Sequence, residues 1–426
     1  MERFSFKSIV RKHDIFEYSK GFGKFPDPLA TEIPKWDLLK EEVSLPAAVL
    51  NVERLEHNLN WMQNFVDHYG FKLAPHGKTT MCPELFHKQI TKGSWGMTVA
   101  TPIQAQTAHS FGISKILMAN QLVGKYNMEI IATIQGQDPS FEFYCLVDSA
   151  ANVKSLGEFF SGRNQTLKLI IEYGVIGGRT GIRDAEQETE VLNEIKKHES
   201  LELVGVEFFE GILTDEEQVQ DLILHVLHRF IHLAVSRVFT GKEVILTGAG
   251  SAWFDVVSER FAAIKKLSCL PYQVELILRS GCYVTHAARV YEQIENRLLH
   301  QNPIDGGSLQ PALTIWAYVQ SCPEANSVII GFGKRDSLHD SGYPVPTLHF
   351  RPGEHQEPRS IADKDWEITK MMDQHSFMQV EDKAEIQVGD IIVFDICHPC
   401  TTFDKFKYIL AVGNDFVVQD VFQTYF

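Results

Sequence analysis

The chain lacks a cationic surplus: 40 lysines and arginines stand against 55 aspartates and glutamates in 426 residues, a formal net charge of −15. No lysine or arginine block breaks that balance, so the electrostatic footprint of a nucleic-acid binder is missing. An anionic membrane surface would repel such a chain. No stretch approaches the ~20 consecutive apolar residues that a membrane span requires. The opening MERFSFKSIVRKHDIF runs charges through what would be the apolar core of a secretory leader, so a cytoplasmic location is expected. Cysteine is scarce and scattered: Cys82, Cys145, Cys269, Cys282, Cys322, Cys397 and Cys400 are an odd set with no disulfide framework for this length. Low-complexity tracts are absent, and 44% hydrophobic residues exclude large-scale disorder. HExxH, Walker A, GxSxG and paired CxxC motifs are also missing, and the chemistries they announce lose their signature.

What is present is a rhythm. Residues 1–45 are irregular, rich in aromatics and proline, and are expected to form an arm packed on the C-terminal domain. PAAVLN reads as a short strand, and a helical stretch runs from Val52 to about Tyr69. Eight β-rich runs follow, at 71–75, 95–99, 115–118, 141–147, 167–172, 201–208, 243–247 and 273–278. Between them lie amphipathic stretches whose apolar residues recur at three and four. Short buried strands alternating with helices imply a parallel sheet with right-handed crossovers. Eight units in this length point to an α/β fold, a (β/α)8 TIM-type barrel over 46–285, with an open doubly wound sheet as the alternative. After about 285 the runs are strand-like with turn signals and no long helical period, and the Pro/Gly-rich 341–358 reads as a loop. A C-terminal β-domain over 286–426 is expected, carrying the metal site argued below.

In such a barrel the active site lies at the C-terminal ends of the strands. That rule nominates His76 and Lys78 in PHGKTT after the first run, Arg179 after the fifth, and Phe209 after the sixth. It nominates Gly248, Gly250 and Ser251 after the seventh, and Gly281, Cys282 and Tyr283 after the eighth. GAGS and GCY are either tight turns or a cradle in which backbone N–H groups and a helix N-terminus meet a phosphate. Lys78 is either a surface lysine or a Schiff-base former tuned by burial. A lysine opposite a phosphate cradle is the combination expected for pyridoxal phosphate. In HPCTTFD, read as extended, His398 and Cys400 project to one side and suit a divalent metal, zinc by ligand type, unless their proximity is coincidental. Cys397 then points away as a packing thiol. His375 either joins that area or is structural. GFGKRDSLHD is a glycine-bearing turn with Lys334 and Asp340. His225, His228 and His232 share a helix face that is either exposed or metal-holding.

PHGKTT, the Arg179 loop, GAGS, GCY, GFGKRDSLHD and HPCTTFDKF, in this order, resemble the D-serine dehydratase/D-threonine aldolase-like family of fold-type III pyridoxal phosphate enzymes related to alanine racemase. APHGKTTM and HPCTTFDKF are most similar to its bacterial D-serine deaminase (amino-acid deaminase) branch. The resemblance spans most of residues 45–426. It implies that Lys78 holds pyridoxal 5'-phosphate and acts as the catalytic base, with Arg179 lining the cofactor ring. It implies a phosphate cradle of Gly248, Gly250, Ser251, Gly281, Cys282 and Tyr283, zinc on His398 and Cys400, and a homodimer with the site near its interface. The implied reaction is metal-assisted elimination of water from a D-serine-like β-hydroxy-D-amino acid, giving a keto acid and ammonia. Retro-aldol cleavage, racemisation, or a non-catalytic pyridoxal phosphate-binding role stay open. Two positions depart from the family pattern: Ala74 stands where an arginine is common, and Phe209 where a tyrosine is common.

Overall fold

A computed structural model describes residues 19–24, 33–267, 270–301 and 307–426. The first strand, β1 (Ala47–Asn51), runs into helix α1 (Val52–Tyr69). The eight expected runs are all strands: β2 (Lys72–Leu73), β3 (Met97–Val99), β4 (Lys115–Gln121), β5 (Glu142–Val147), β6 (Leu167–Tyr173), β7 (Leu201–Phe208), β8 (Glu243–Gly248) and β9 (Gln273–Leu278). Between them lie α2 (Pro83–Thr91), α3 (Pro102–Ser110), α4 (Lys125–Gln137), α5 (Ala150–Ser161), α6 (Ala185–Ile195), α7 (Glu216–Val235) and α8 (Phe254–Lys265). The strands pair in parallel in the order β2-β9-β8-β7-β6-β5-β4-β3. The remaining gap, between β2 and β3, is closed by the motif that carries Lys78. Trp95 donates its N–H to Leu73 O at 2.7 Å, Thr98 donates to Pro75 O at 2.9 Å, and His76 bridges Thr98 in parallel. The ring is therefore a (β/α)8 barrel.

Its interior is filled by Leu117, Leu146, Ile170, Val204, Ile245 and Ile277, with Ala74 and Ala119 at narrow points. The Ala74 departure fits this packing, because an arginine there would carry its charge into an apolar layer. Helix α1 begins where Asn51 accepts the N–H of Arg54 at 2.9 Å, and it ends on Gly70 in the left-handed conformation at φ 65°. Leu55, Leu59, Met62, Phe65 and Val66 form its buried stripe.

Strand β1 is present as expected, but its partners lie outside the ring. A second sheet contains β10 (Leu313–Glu324), β11 (Ser327–Ile330), β12 (Val345–Phe350), β13 (Arg359–Ser360), β14 (Glu367–Met371), β15 (Ser376–Gln379), β16 (Ile391–Asp395), β17 (Tyr408–Val412) and β18 (Val418–Gln423). Strand β1 inserts between β10, antiparallel, and β17, parallel. Its alternation serves both faces: Ala48 and Leu50 join the core shared with α1, while Ala47 and Val49 join a cluster on the other face. From the N-terminal arm, Phe22, Trp36, Leu38 and Val43 bury in that second cluster beside Trp316 and Tyr408. The rest of the arm, 1–18 and 25–32, and Cys269 lie outside the described residues.

Two expectations need correction. The segment after 285 contains a helix, α9 (Val290–Gln301), which buries Tyr291 and Ile294. Their three-residue spacing is a helical signal masked by the polar residues around it. The Pro/Gly-rich stretch expected as a loop contains β12. Pro346 is tolerated there because the ladder with β16 shifts register between Pro346 and Leu348. No helix among the described residues is long and apolar enough to cross a membrane.

Phe65 is fully buried and stacks edge-on to Phe254, 4.9 Å between centroids, which ties α1 to α8. Phe65→Ala should lower unfolding stability by about 3–5 kcal/mol, while Tyr126→Ala, at a 76% exposed position, should change it by under ~0.5 kcal/mol. Denaturant titration of both variants checks the contrast, and equal effects would contradict this packing.

Candidate active site

The loops at the C-terminal ends of the barrel strands enclose a two-lobed cavity facing the second sheet. One lobe is about 260 Å3 and the other about 280 Å3; they share His76, Lys78, Phe209, Gly250 and Arg279. Lys78 sits in a single 3-10 turn, Gly77–Thr79, directly beyond the barrel seam. Gly77 packs closely there: a Cβ would meet the Phe86 ring at 3.0 Å and the Met97 methyl at 3.2 Å. Burial lowers the pKa of the Lys78 amine, and Arg179 and Arg279 push the same way, while the Cys400 and Cys282 sulfurs oppose them. His76 is driven well below its usual range by burial and by the cations Lys78, Arg279 and Arg179, so it stands neutral, with Nδ1 buried and unpartnered.

Arg179 lies over the Phe209 ring, 4.3 Å to its centroid. Its loop is tied down by Thr180, which donates to Glu172 at 2.7 Å, and by Gly181, which donates to Asp148 at 2.9 Å. Phe209 therefore serves as a platform for the guanidinium and needs no hydroxyl for it. Beneath the floor, Arg279 pairs with Glu207 and donates to Phe208 O at 3.0 Å. Burial raises the Glu207 carboxyl to about 8 even with that guanidinium against it. Glu207 was not among the residues nominated from the sequence; it sits in β7, where a charge in an apolar run was the signal, whereas Arg279 directly follows β9 at the rim that the barrel rule nominates.

The two glycine-bearing loops meet at the second lobe. Ser251 accepts the N–H of Cys282 at 3.3 Å, and α8 starts just beyond, with no side chain capping its N-terminus. Glycine is needed at 281, where a Cβ would come 2.6 Å from His76 O. The N–H groups of Ala249 and Gly250 are held by Glu210, at 3.1 and 2.7 Å. Gly248 and Tyr283 do not line the cavity. Gly248 faces the Phe208 ring, and Tyr283 is buried with its hydroxyl accepting from Gln89 at 3.2 Å.

The second sheet closes the mouth with the HPC segment, which is not extended. Pro399 is in the right-handed helical region and Cys400 opens a short helix, α10 (Cys400–Phe403), whose Thr401 and Thr402 hydroxyls donate back to His398 O at 3.2 and 3.1 Å. His398 and Cys400 are brought to the same cavity lobe all the same. His398 Nδ1 sits 2.8 Å from the Asp340 carboxylate, a contact only hinted at by the GFGKRDSLHD turn. The Cys400 sulfur lies 3.7 Å from Cys282 Sγ and 3.4 Å from the Thr79 hydroxyl. The Cys282 thiol, then His398, hold Cys400 well below the usual thiol range, while the Cys400 bond raises His398 to about 9. Cys397 points away and donates to Tyr343 O at 3.1 Å. His375 is exposed in the turn between β14 and β15, and His225, His228 and His232 lie on the exposed face of α7. Among the described residues, no three or more His, Cys, Asp and Glu side chains stand as a ready metal cage.

The lowered Lys78 pKa has a direct consequence. A smaller pKa means more neutral, nucleophilic amine near neutrality than an exposed lysine offers. An amine-reactive reagent applied to cofactor-free protein near pH 7 should therefore modify Lys78 ahead of exposed lysines such as Lys154, as peptide mapping would read. Equal labelling of the two would contradict this environment.

With this geometry in place, known proteins can be set beside the chain. Residues 312–412 match the family described as "Putative serine dehydratase domain". The chain is 22% identical over 394 residues to the D-threonine aldolase of Arthrobacter sp., which spans 89% of this chain and 92% of that protein. Its fold is similar to the D-threonine aldolase of Filomicrobium marinum, with a TM-score of 0.73 at 20% identity over 93% of this chain and 98% of that one. It is also similar to the D-threo-3-hydroxyaspartate dehydratase of Delftia sp. HT23, with a TM-score of 0.69 at 19% identity over 91% of this chain and 99% of that one. The chain is thus a homologue of D-threonine aldolases and D-threo-3-hydroxyaspartate dehydratases, with a D-serine dehydratase-like domain on an alanine racemase-like fold.

Proposed function

We propose that the protein is a pyridoxal phosphate-dependent lyase that removes water from a β-hydroxy-D-amino acid of the D-serine type, releasing a keto acid and ammonia. The observation that carries this reading is the meeting of three groups in one cavity: the Lys78 amine, an uncapped helix N-terminus with its Ser251/Cys282 loops, and the His398/Cys400 pair. A phosphorylated aldehyde fits such a lining. Lys78 would hold its aldehyde carbon, and Ser251, Gly281 and the Cys282 N–H would take its phosphate at the helix N-terminus. His76, neutral with an orphaned ring nitrogen, and Arg179 on its Phe209 platform would flank its ring. Bound there, the cofactor supplies an electron sink for charge developing at the substrate Cα.

The residues divide the remaining work. Lys78 Nζ takes the Cα proton, and its lowered pKa suits it to act as a base near neutrality. His398 and Cys400 would hold a divalent ion, zinc by ligand type, whose chemistry there is that of a Lewis acid for the departing hydroxyl. Asp340 keeps His398 oriented through Nδ1, which leaves Nε2 for ligation. Solved variants described as D-threo-3-hydroxyaspartate dehydratase replace a histidine and, two positions on, a cysteine by alanine, the latter in a metal-free form. His398-x-Cys400 has the same spacing.

Aldol cleavage is the second reading, because the Arthrobacter aldolase is similar along most of its length. A homodimer belongs to the proposal as well. Val123, Tyr126, Ile176 and Ile212 are exposed in or beside the loops at the C-terminal barrel rim, next to the cavity mouth, where a second copy would cover them. A cytoplasmic location is consistent with it.

The deciding assay loads the protein with pyridoxal phosphate and zinc and offers D-serine, D-threonine and 3-hydroxy-D-aspartate, with product identification. Ammonia and keto acid should dominate, L-serine should be inert, and Lys78→Ala should lose at least about 1,000-fold in rate. Glycine and an aldehyde as main products would replace dehydration by aldol cleavage. Borohydride treatment of the loaded protein should leave a pyridoxyl group on Lys78; a label elsewhere overturns the assignment. Chelation should abolish water elimination from D-serine but largely spare β-chloro-D-alanine, whose leaving group needs no Lewis acid. Light scattering should give twice the 48.4 kDa chain mass.

A further inference from the structure

Cys282 has two ends with different surroundings. Its backbone N–H faces Ser251 on the anion side, while its side chain crosses to the second sheet and meets Cys400, 118 residues away, at 3.7 Å between sulfurs. Two of the buried thiols among the described residues have partners of their own: Cys82 donates to Glu84 at 3.3 Å and Cys397 to Tyr343 O at 3.1 Å. Cys282 and Cys400 instead face each other over the cavity lobe that also contains His398 and Lys78. Two sulfurs bound about 2.3 Å from one tetrahedral zinc stand about 3.8 Å apart. The observed pair is at that separation before any ion arrives.

We propose that Cys282 is a metal ligand alongside Cys400 and His398. The inference rests on the reading of His398/Cys400 as the metal pair and adds a third donor from the barrel side. The ion then joins the two sheets: one thiolate from the loop after β9, one thiolate and one imidazole from the segment before and within α10. Three protein donors leave the fourth position open toward Lys78, the arrangement of a catalytic rather than a closed structural zinc. The three side chains have not yet converged, so binding draws the imidazole in toward two sulfurs already spaced, and Cys282 gives up its thiol proton on ligation. Two thiolates and an imidazole select a thiophilic ion over magnesium, calcium or manganese.

The test loads the intact protein, with its cofactor, with cobalt(II) and reads sulfur-to-cobalt charge-transfer absorbance per bound cobalt. Cys282→Ser should lower that intensity by about half, as Cys400→Ser should, and should weaken cobalt binding at least tenfold, with the near-ultraviolet dichroism of the fold retained. Unchanged intensity in Cys282→Ser overturns the proposal. Should that variant fail to fold, X-ray absorption on the zinc-loaded wild type decides: two sulfur neighbours support Cys282, and one sulfur overturns it while leaving the His398/Cys400 reading intact. A wild type that binds no zinc or cobalt overturns both.

Discussion

The closure of the barrel is the constraint on which the site depends. A ring of eight parallel strands needs its first and last members to meet, yet β2 is only two residues long and β3 only three. The join is completed by irregular backbone instead, through Trp95, Thr98, Pro75 and His76. Thr98 adds a side-chain bond, its hydroxyl donating to Ala74 O at 2.6 Å. The segment that locks the ring is the segment that ends in Gly77-Lys78-Thr79. Lys78 therefore stands where barrel closure puts it, and its amine inherits the rigidity and burial of the seam. A depressed lysine pKa follows from that position without a dedicated partner.

A second constraint is that neither sheet owns the cavity. The barrel provides the amine, the cations and the anion loops; the second sheet provides His398, Cys400 and, through Ser341 and Asp340, the groups around the imidazole. Thr79 is the hinge pin between them, because the residue after Lys78 lies within reach of both Cys400 and Cys282. Electrostatics follow the same division. Arg179, Arg279 and Lys78 stand on the barrel side, and the Cys400 sulfur, whose pKa is lowered, borders the same cavity. An anionic substrate carboxylate entering between the two would meet the cationic wall first.

Much of this was legible in the sequence. Strands buried on both faces read as apolar runs, so the eight barrel strands were recoverable, and the rule that barrels work at the C-terminal ends of their strands then led to Lys78, Arg179 and Phe209. What stayed hidden shares one physical cause, contact across a long stretch of chain. AAVLN announces a strand but not that its neighbours are Leu313–Trp316 and Leu410–Val412. Asp340 and His398 are 58 residues apart, and no local spacing joins Cys282 to Cys400. The HPC segment misled for a different reason: Pro399 starts a helix as readily as it sits in an extended stretch.

The placement of β1 has a consequence for how this molecule is made. Strand β1 has its neighbours about 265 and 360 positions downstream. Until the last quarter of the chain is synthesised, Ala47–Asn51 has apolar faces and open backbone edges with nothing to pair with. The barrel units after it can assemble in order as they emerge, each strand against its predecessor. This interior strand of the other sheet must wait for both of its partners. Loss of Tyr408–Val412 would therefore leave one edge of β1 unpaired as well as remove the residues cut away.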